Sequence, residues 1–209
     1  MDHPLAPRGL QRRTCLAAAA ATLVLAACGK QEASTPTQAA AKNVVPVSLE
    51  KIAAEAKGFN VGSEMSVRVV YVFFDAQCPH CAALWEAAKP LKPQARFVWI
   101  PVGVLGEKSV SQGAAILAAS DPVAAMEQNE ASVQAHTGGI SAMGVSDDQK
   151  KAVLANTKML NDFGFAGVPA IVGKNAVTGE LVTIDGAVPT PVLAQKLGLA
   201  PPAGATPAS

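Results

Sequence analysis

Two of the chain's four cysteines are separated only by Pro79 and His80, in Gln77-Cys78-Pro79-His80-Cys81. The chemistry open to such a pair is exchange with other thiols and disulfides, in which a thiolate attacks a disulfide sulfur. A bridge between positions this close shuts a very short loop and restrains the unfolded chain little, so stapling is a poor reason for it. Two cysteines and His80 also form part of a zinc or copper ligand set, but the sequence has no second C-x-x-C and no H-x-x-x-H to complete one. Redox chemistry is the leading reading. A structural bridge and a metal site are its competitors, and no metal is expected.

The flanking residues decide how reactive the pair would be. Val67 to Asp75, VRVVYVFFD, is rich in β-branched and aromatic residues and predicts a buried strand. Ala82 to Ala88, AALWEAA, is strongly helical and ends before Pro90. The pair therefore sits at a strand-to-helix turn, with Cys78 at the helix N-terminus and Pro79 at a first-turn position that tolerates proline. Unsatisfied N–H groups and the positive end of the helix dipole point at the Cys78 sulfur and favour its thiolate. His80 adds a positive charge or a hydrogen bond. Cysteines in C-x-x-C pairs have pKa values from ~3.5 to ~7, against ~8.5 for a free thiol. Cys81, one turn further in, is expected to be buried and protonated and to resolve mixed disulfides formed at Cys78. Asp75 is expected to hydrogen-bond the turn, Trp85 and Trp99 to lie in the core, and His136 to be solvated near a helix end.

The remaining elements supply a platform. Ala95 to Val102 predicts a second strand, which makes a βαβ unit with parallel pairing. Alanine-rich Ser111 to Ser120 predicts a helix. A second helix runs from the Asp121-Pro122 cap to about His136, ended by Gly138-Gly139. Ser146 to Gln149 has the capping-box pattern and opens a third helix to Phe163, closed by Gly164. Strands Ala170 to Gly173 and Glu180 to Asp185 follow as a hairpin. Thr190-Pro191 caps a last helix to about Leu197, ended by Gly198. Ser48 to Lys57 predicts one short helix before the first strand.

The chain of 209 residues is 50% hydrophobic and 16% charged, with a formal charge of +1. A charge this close to zero, with scattered basic residues, gives no footprint for nucleic acid. The long apolar run, Cys15 to Ala27, is shorter than the ~20 residues of a spanning helix. With Arg8, Arg12 and Arg13 before it, it has the form of an export signal. Its end, Leu25-Ala26-Ala27-Cys28-Gly29, resembles the lipobox of bacterial lipoproteins, which implies cleavage after residue 27 and lipidation of Cys28. An ordinary Ala-x-Ala cleavage site is the alternative, and Arg12-Arg13 faintly resembles a twin-arginine signal. Every version exports the chain to a compartment where thiols can oxidise. Residues 28–46 are expected to be a tether, of which the stretch from Gly29 to Asn43 spans roughly 20 Å. Residues 47–199 form the folded domain, and 200–209 a frayed tail.

The element order with C-P-H-C at the first helix resembles the thioredoxin fold with a helical insertion, placed at about residues 104–164. It is an α/β arrangement of a mixed four-stranded sheet, βαβ plus ββα. The resemblance is closest to the bacterial Dsb thiol:disulfide interchange family, above all the catalytic domains of DsbG and DsbC. It is carried by Val69 to Trp85, Val102 to Pro122 and Gly167 to Ala170 (GVPA). It implies a cis-proline at Val168-Pro169 beside the cysteines, whose loop offers backbone groups to an extended substrate; a trans proline opening a strand is the alternative. It implies a periplasmic oxidoreductase, held by its lipid to the inner or outer membrane. The expected partners are exported proteins with thiols or disulfides and a membrane redox partner of the DsbB or DsbD type. No dissociable cofactor is expected, because the dithiol carries both electrons.

Two departures qualify the resemblance. DsbC and DsbG carry an N-terminal dimerisation domain, and the stretch from Gly29 to Glu64 has no room for one, so a monomer is expected. DsbG-type proteins also have threonine before the cis-proline, whereas Val168 and the Pro79-His80 dipeptide resemble the oxidase DsbA. The buried acid that thioredoxins place six residues before the first cysteine is missing, since that position is Val72. A dimeric isomerase or reductase, and a non-enzymatic metal-binding or chaperone module, are the rival functions.

Overall fold

The computed structural model of the chain describes residues 44–201. The signal segment, Cys28, the tether as far as residue 43 and the tail from residue 202 lie outside the described residues. The elements run α1 (Leu49–Glu55), β1 (Phe59–Gly62), β2 (Val69–Asp75), α2 (Pro79–Ala88), a 3₁₀ turn (Lys89–Leu91), β3 (Arg96–Val102), α3 (Glu107–Ala118), α4 (Pro122–Gln134), α5 (Asp147–Asp162), β4 (Ala170–Lys174), β5 (Leu181–Asp185) and α6 (Thr190–Leu197). None of these helices is long and apolar enough to cross a membrane.

One sheet, ordered β1-β3-β2-β4-β5, carries them. β2 and β3 pair in parallel, Val69 beside Arg96 through Asp75 beside Val102. All other pairings are antiparallel. β2 is apolar without alternation because both its faces are covered. Val70, Val72 and Phe74 pack with Leu84, Trp85, Trp99 and Leu193 on the side of α2 and α6. Phe73 points the other way, with Ile100, Leu160 and Phe163, towards α1 and α5. Trp85 and Trp99 meet edge to face at 4.9 Å, and Trp99 meets Phe74 in the same way at 5.7 Å. Such pairs add about 0.5–1.5 kcal/mol each beyond their buried area.

The expected four-stranded sheet is corrected to five strands. Phe59–Gly62 adds an antiparallel edge to β3, with Phe59 and Val61 turned into the core. Four residues containing asparagine and glycine give little strand signal, and tertiary packing supplies the pairing. Two boundaries also move. Val45, placed in the tether by sequence, donates its N–H to the Asp162 carbonyl at 2.8 Å. Ala200, placed in the tail, exchanges two hydrogen bonds with the Gln94 side chain at 2.8 and 2.9 Å. α3 starts at Glu107 rather than Ser111. Thr190 opens α6 without capping it: the N-cap residue is Pro189, and the Thr190 hydroxyl donates to the Ala87 carbonyl at 2.8 Å, tying α6 to α2. The Ser146 capping box is present as expected.

The inserted helices are fastened to the sheet by buried amides. Asn129 of α4 donates to the Ala76 carbonyl at 2.9 Å and accepts from the Ile140 N–H at 3.1 Å. Asn156 of α5 donates to the carbonyls of Lys57 and Pro101. Each is a buried side chain that ties backbone groups of two separate segments together. Asn129→Ala leaves the Ile140 N–H without its partner and the Ala76 carbonyl with only a long 3.5 Å bond from the Gln77 amide, and is expected to cost about 1–3 kcal/mol in urea unfolding. Met126→Leu, a volume-conserving change in the same helix, should cost less than about 1.5 kcal/mol.

Candidate active site

β2 ends at Asp75 and α2 begins at Pro79, so the turn between them carries the first cysteine. Cys78 is the N-cap residue of α2, and no side chain caps the helix. The Asp75 carboxylate shapes the turn: it accepts from the Gln77 N–H at 2.9 Å and, through its other oxygen, from the Leu105 N–H at 2.9 Å. The Cys78 N–H donates to the Asp75 carbonyl at 3.0 Å. The expected role of Asp75 in the turn agrees with this arrangement.

Both cysteines are free thiols here. Cys78 is 6% exposed, Cys81 is fully buried, and Pro79 and His80 are exposed. The Cys81 sulfur accepts from the Asp75 N–H at 3.4 Å. Cys78 ionises far more easily than an ordinary thiol, its pKa brought down to about 6. A hydrogen bond from the Cys81 thiol is the main cause, opposed by burial. The N–H groups of Cys81 and His80 come next, and the charge of His80 contributes least. Cys81 moves the opposite way, well above its ordinary value, because burial and the bond it gives to Cys78 both favour the protonated form. The sequence reading named the helix terminus and His80 as the stabilisers of the thiolate; the partner thiol, which it did not include, comes first, the N–H groups of the helix start follow, and the His80 charge comes last.

The Val168-Pro169 bond is cis, at the entry to β4. It brings the Val168 carbonyl to 3.7 Å from the Cys78 sulfur, where the neutral thiol donates to it. Val168 is half-buried and Pro169 is buried. The structure therefore assembles Cys78, Pro79, His80, Cys81, Val168 and Pro169 at one end of the sheet. His136 is exposed, just past the end of α4, with a left-handed backbone at φ 57°, and makes no side-chain hydrogen bond to this group.

A set of residues not anticipated from the sequence supports the site from the insertion. The Gln77 side-chain amide donates to Gln112 of α3 at 2.5 Å and to the Gly138 carbonyl at 2.9 Å. Gln112 donates in turn to the carbonyls of Gly138 and Ile140. Gly139 passes through this cluster at φ 82°, and a Cβ there would come within 2.7 Å of both Asn129 and Gln112. Glu130 of α4 is 1% exposed, and one of its carboxylate oxygens has no hydrogen-bond partner. Burial raises its pKa to about 8. The available signal was the buried stripe of α4, where Asn129 and Glu130 share the face of Met126 and Val133. Polar residues inside an apolar stripe need an explanation.

The comparisons with known proteins fit this geometry. The fold matches the catalytic domain of Proteus mirabilis ScsC, with TM-score 0.54, 19% identity, and coverage of 71% of this chain and 92% of that one. It also matches a thioredoxin-like oxidoreductase from Silicibacter pomeroyi, with TM-score 0.53, 18% identity, and coverage of 73% and 96%. The fold is the thioredoxin fold. In it, α3, α4 and α5 form the helical insertion between the βαβ unit and the closing ββα unit. In sequence, the chain is 35% identical over 135 residues to the thiol:disulfide interchange protein DsbG of Pseudomonas aeruginosa, covering 63% of this chain and 51% of that protein. The chain spans about half the length of the curated relatives it matches. No family model matches it.

The rate of Cys78 alkylation by iodoacetamide should rise with pH through a midpoint of about 6. Cys81→Ala removes the main hydrogen bond to the thiolate and should move that midpoint up. His80→Ala should move it up less. The reverse ranking would mean that the imidazole, not the partner thiol, holds the anion.

Proposed function

We propose that the chain is a periplasmic thiol-disulfide oxidoreductase that exchanges disulfides with exported proteins through Cys78 and Cys81. The observation that carries this reading is the Cys78 sulfur itself. It is ionisable near pH 6, placed at a helix N-terminus, and faced at 3.7 Å by the Val168 carbonyl of the Pro169 loop. A thiolate of this kind is both a nucleophile and a good leaving group. In the disulfide form, a substrate thiolate attacks the Cys78 sulfur, and Cys81 departs with the electron pair and takes up a proton. The second substrate thiolate then attacks the first substrate sulfur in the mixed disulfide and releases Cys78 as a thiolate. Every step reverses when the substrate is the disulfide. Val168 and Pro169 hold the substrate backbone beside the sulfur. Pro79 starts the helix that supplies the N–H groups, and His80 adds its charge to them.

Stabilising the thiolate favours the dithiol over the disulfide, which makes the disulfide an oxidant. Disulfide donation is therefore the direction we favour, with a membrane redox partner restoring the bridge. Action as a monomer is part of this reading. Cys28 supplies a lipid anchor, on the strength of the lipobox-like residues around it. The similarity to DsbG supports exchange chemistry and leaves isomerisation by a dimer as the rival.

The test is a mixed-disulfide trap. Cys81→Ala, expressed with its export signal, should accumulate covalent complexes with exported proteins that dissolve in reductant. Cys78→Ala should accumulate none. Absence of complexes with Cys81→Ala, or complexes of equal yield with Cys78→Ala, would overturn the reading.

A further inference from the structure

Cys81 must lose a proton to attack a mixed disulfide and regain one when it leaves the intramolecular bridge. The residue that serves this need in other thioredoxin-like chains would stand where this one has Val72, an apolar side chain in the sheet. Glu130 lies within electrostatic range of the same pair of sulfurs from a different element. It sits on α4, which packs against α2, and its neighbour Asn129 is bonded to the Ala76 carbonyl two residues before Cys78. One Glu130 oxygen accepts from the Asn129 amide at 3.3 Å. The other is buried with no partner. The charges that act most on it come from Cys78 of α2, Asp75 at the end of β2 and Glu127 on its own helix, all of them acids, and its own charge acts in turn on Cys81; the cation beside this set, Lys89, is paired with Glu127 at 2.5 Å. A buried carboxyl with an unpartnered oxygen among acids is a poor structural element and a serviceable proton store.

We propose that Glu130 is the proton carrier for Cys81, passing a proton to that sulfur when it leaves a disulfide and accepting one when it attacks. This rests on the dithiol-exchange reading above and assigns a residue within it. The electrostatics give the timing. While Cys78 is a thiolate, its charge helps hold the Glu130 carboxyl protonated, in addition to the larger effect of burial. When Cys78 enters a mixed disulfide, that charge disappears and the carboxyl becomes a stronger acid. It is then able to ionise and accept a proton at the step where Cys81 must give one up. In that step the Cys81 S–H bond breaks and its proton goes to the Glu130 carboxylate. A bond forms between the two cysteine sulfurs, and the bond from Cys78 to the substrate sulfur breaks with its electron pair on the substrate. In the reverse direction the departing Cys81 thiolate takes the proton from the neutral carboxyl.

The experiment uses the reduced protein and dithiobis(nitrobenzoic acid). Cys78 displaces the first coloured thiolate in a bimolecular step. Cys81 displaces the second in a step independent of reagent concentration, so the two rates separate. In Glu130→Gln, which preserves size and can still accept from Asn129, the ratio of the second rate to the first should fall by about 10²-fold. The pH profile should change as well. In the wild type the second rate levels off with pH once the carboxyl has ionised. In Glu130→Gln it should climb by about tenfold per pH unit, following free ionisation of Cys81. An unchanged ratio and profile would remove Glu130 from the step while leaving dithiol exchange intact. A wild type that releases only the first thiolate would instead defeat the exchange reading itself. Infrared titration of isotope-labelled glutamate in the wild type does not depend on the variant folding. The carboxyl band should titrate at about 8 in the reduced protein and lower in the oxidised one. Equal midpoints in the two states would overturn the proposal.

Discussion

The thiolate of a cysteine that is 6% exposed, with its pKa brought down to about 6, has to be solvated largely by the protein in place of water. Burial alone would push its pKa up, as it does for Cys81. The reversal depends on donors fixed in position before the charge appears. These are the Cys81 thiol and the N–H groups at the first turn of α2. Fixed donors cost no reorganisation when the anion forms, which is why a helix N-terminus suits the task better than a mobile side chain. The charge of the exposed His80 side chain contributes least. Everything else in the fold can be ranked by how firmly it holds that first turn in register with β2.

Support comes from both sides of the turn. Beneath it, β2 is locked between β3 and β4, with apolar layers on both faces, so Asp75 is delivered to one place. Around it, the insertion adds polar contacts: Leu105 to Asp75, Gln112 to Gln77, and Asn129 to the Ala76 carbonyl. Three consecutive residues, 75 to 77, are thus held from the inserted segment. Such a satisfied buried network specifies a unique arrangement more sharply than apolar packing does, because each misplacement leaves an orphaned group. The insertion is therefore part of the site's support. Glu130 enters the site on the same helix that bears Asn129.

Much of this was legible in the residues. The strand VVYVFFD, the proline at the first helical position, the alanine-rich helix and the glycine closing α5 follow from local rules of periodicity and capping. Cys78 and Cys81 stood out by spacing, and Val168-Pro169 by its resemblance to a known loop. Three things were not legible. β1 is too short to announce itself and exists because β3 offers it an edge. The dominance of Cys81 over His80 depends on the direction of one S–H group, which no sequence pattern encodes. Glu130 lies far along the chain from Cys78, and only the packing of α4 on α2 brings their charges within reach. Local patterns carried the elements, and the electrostatics waited for three-dimensional distance.

The asymmetry between two chemically identical residues follows from the deeper burial of Cys81 and from one hydrogen bond between them. By donating to Cys78, the Cys81 thiol lowers its partner's pKa and raises its own. Swapping their environments would swap their roles, so neither is a nucleophile or a resolver by residue type. The bond also makes the arrangement self-limiting. Once Cys78 is consumed in a mixed disulfide, it no longer carries the anion that rewarded Cys81 for staying protonated. The same event that demands a thiolate at Cys81 removes one of the reasons for its being a thiol. Burial remains as the opposing cost, and a buried thiolate with no proton acceptor nearby would form slowly in an apolar core. A second titratable group is therefore required by the depth at which Cys81 is placed, and α4 is the element that puts one there.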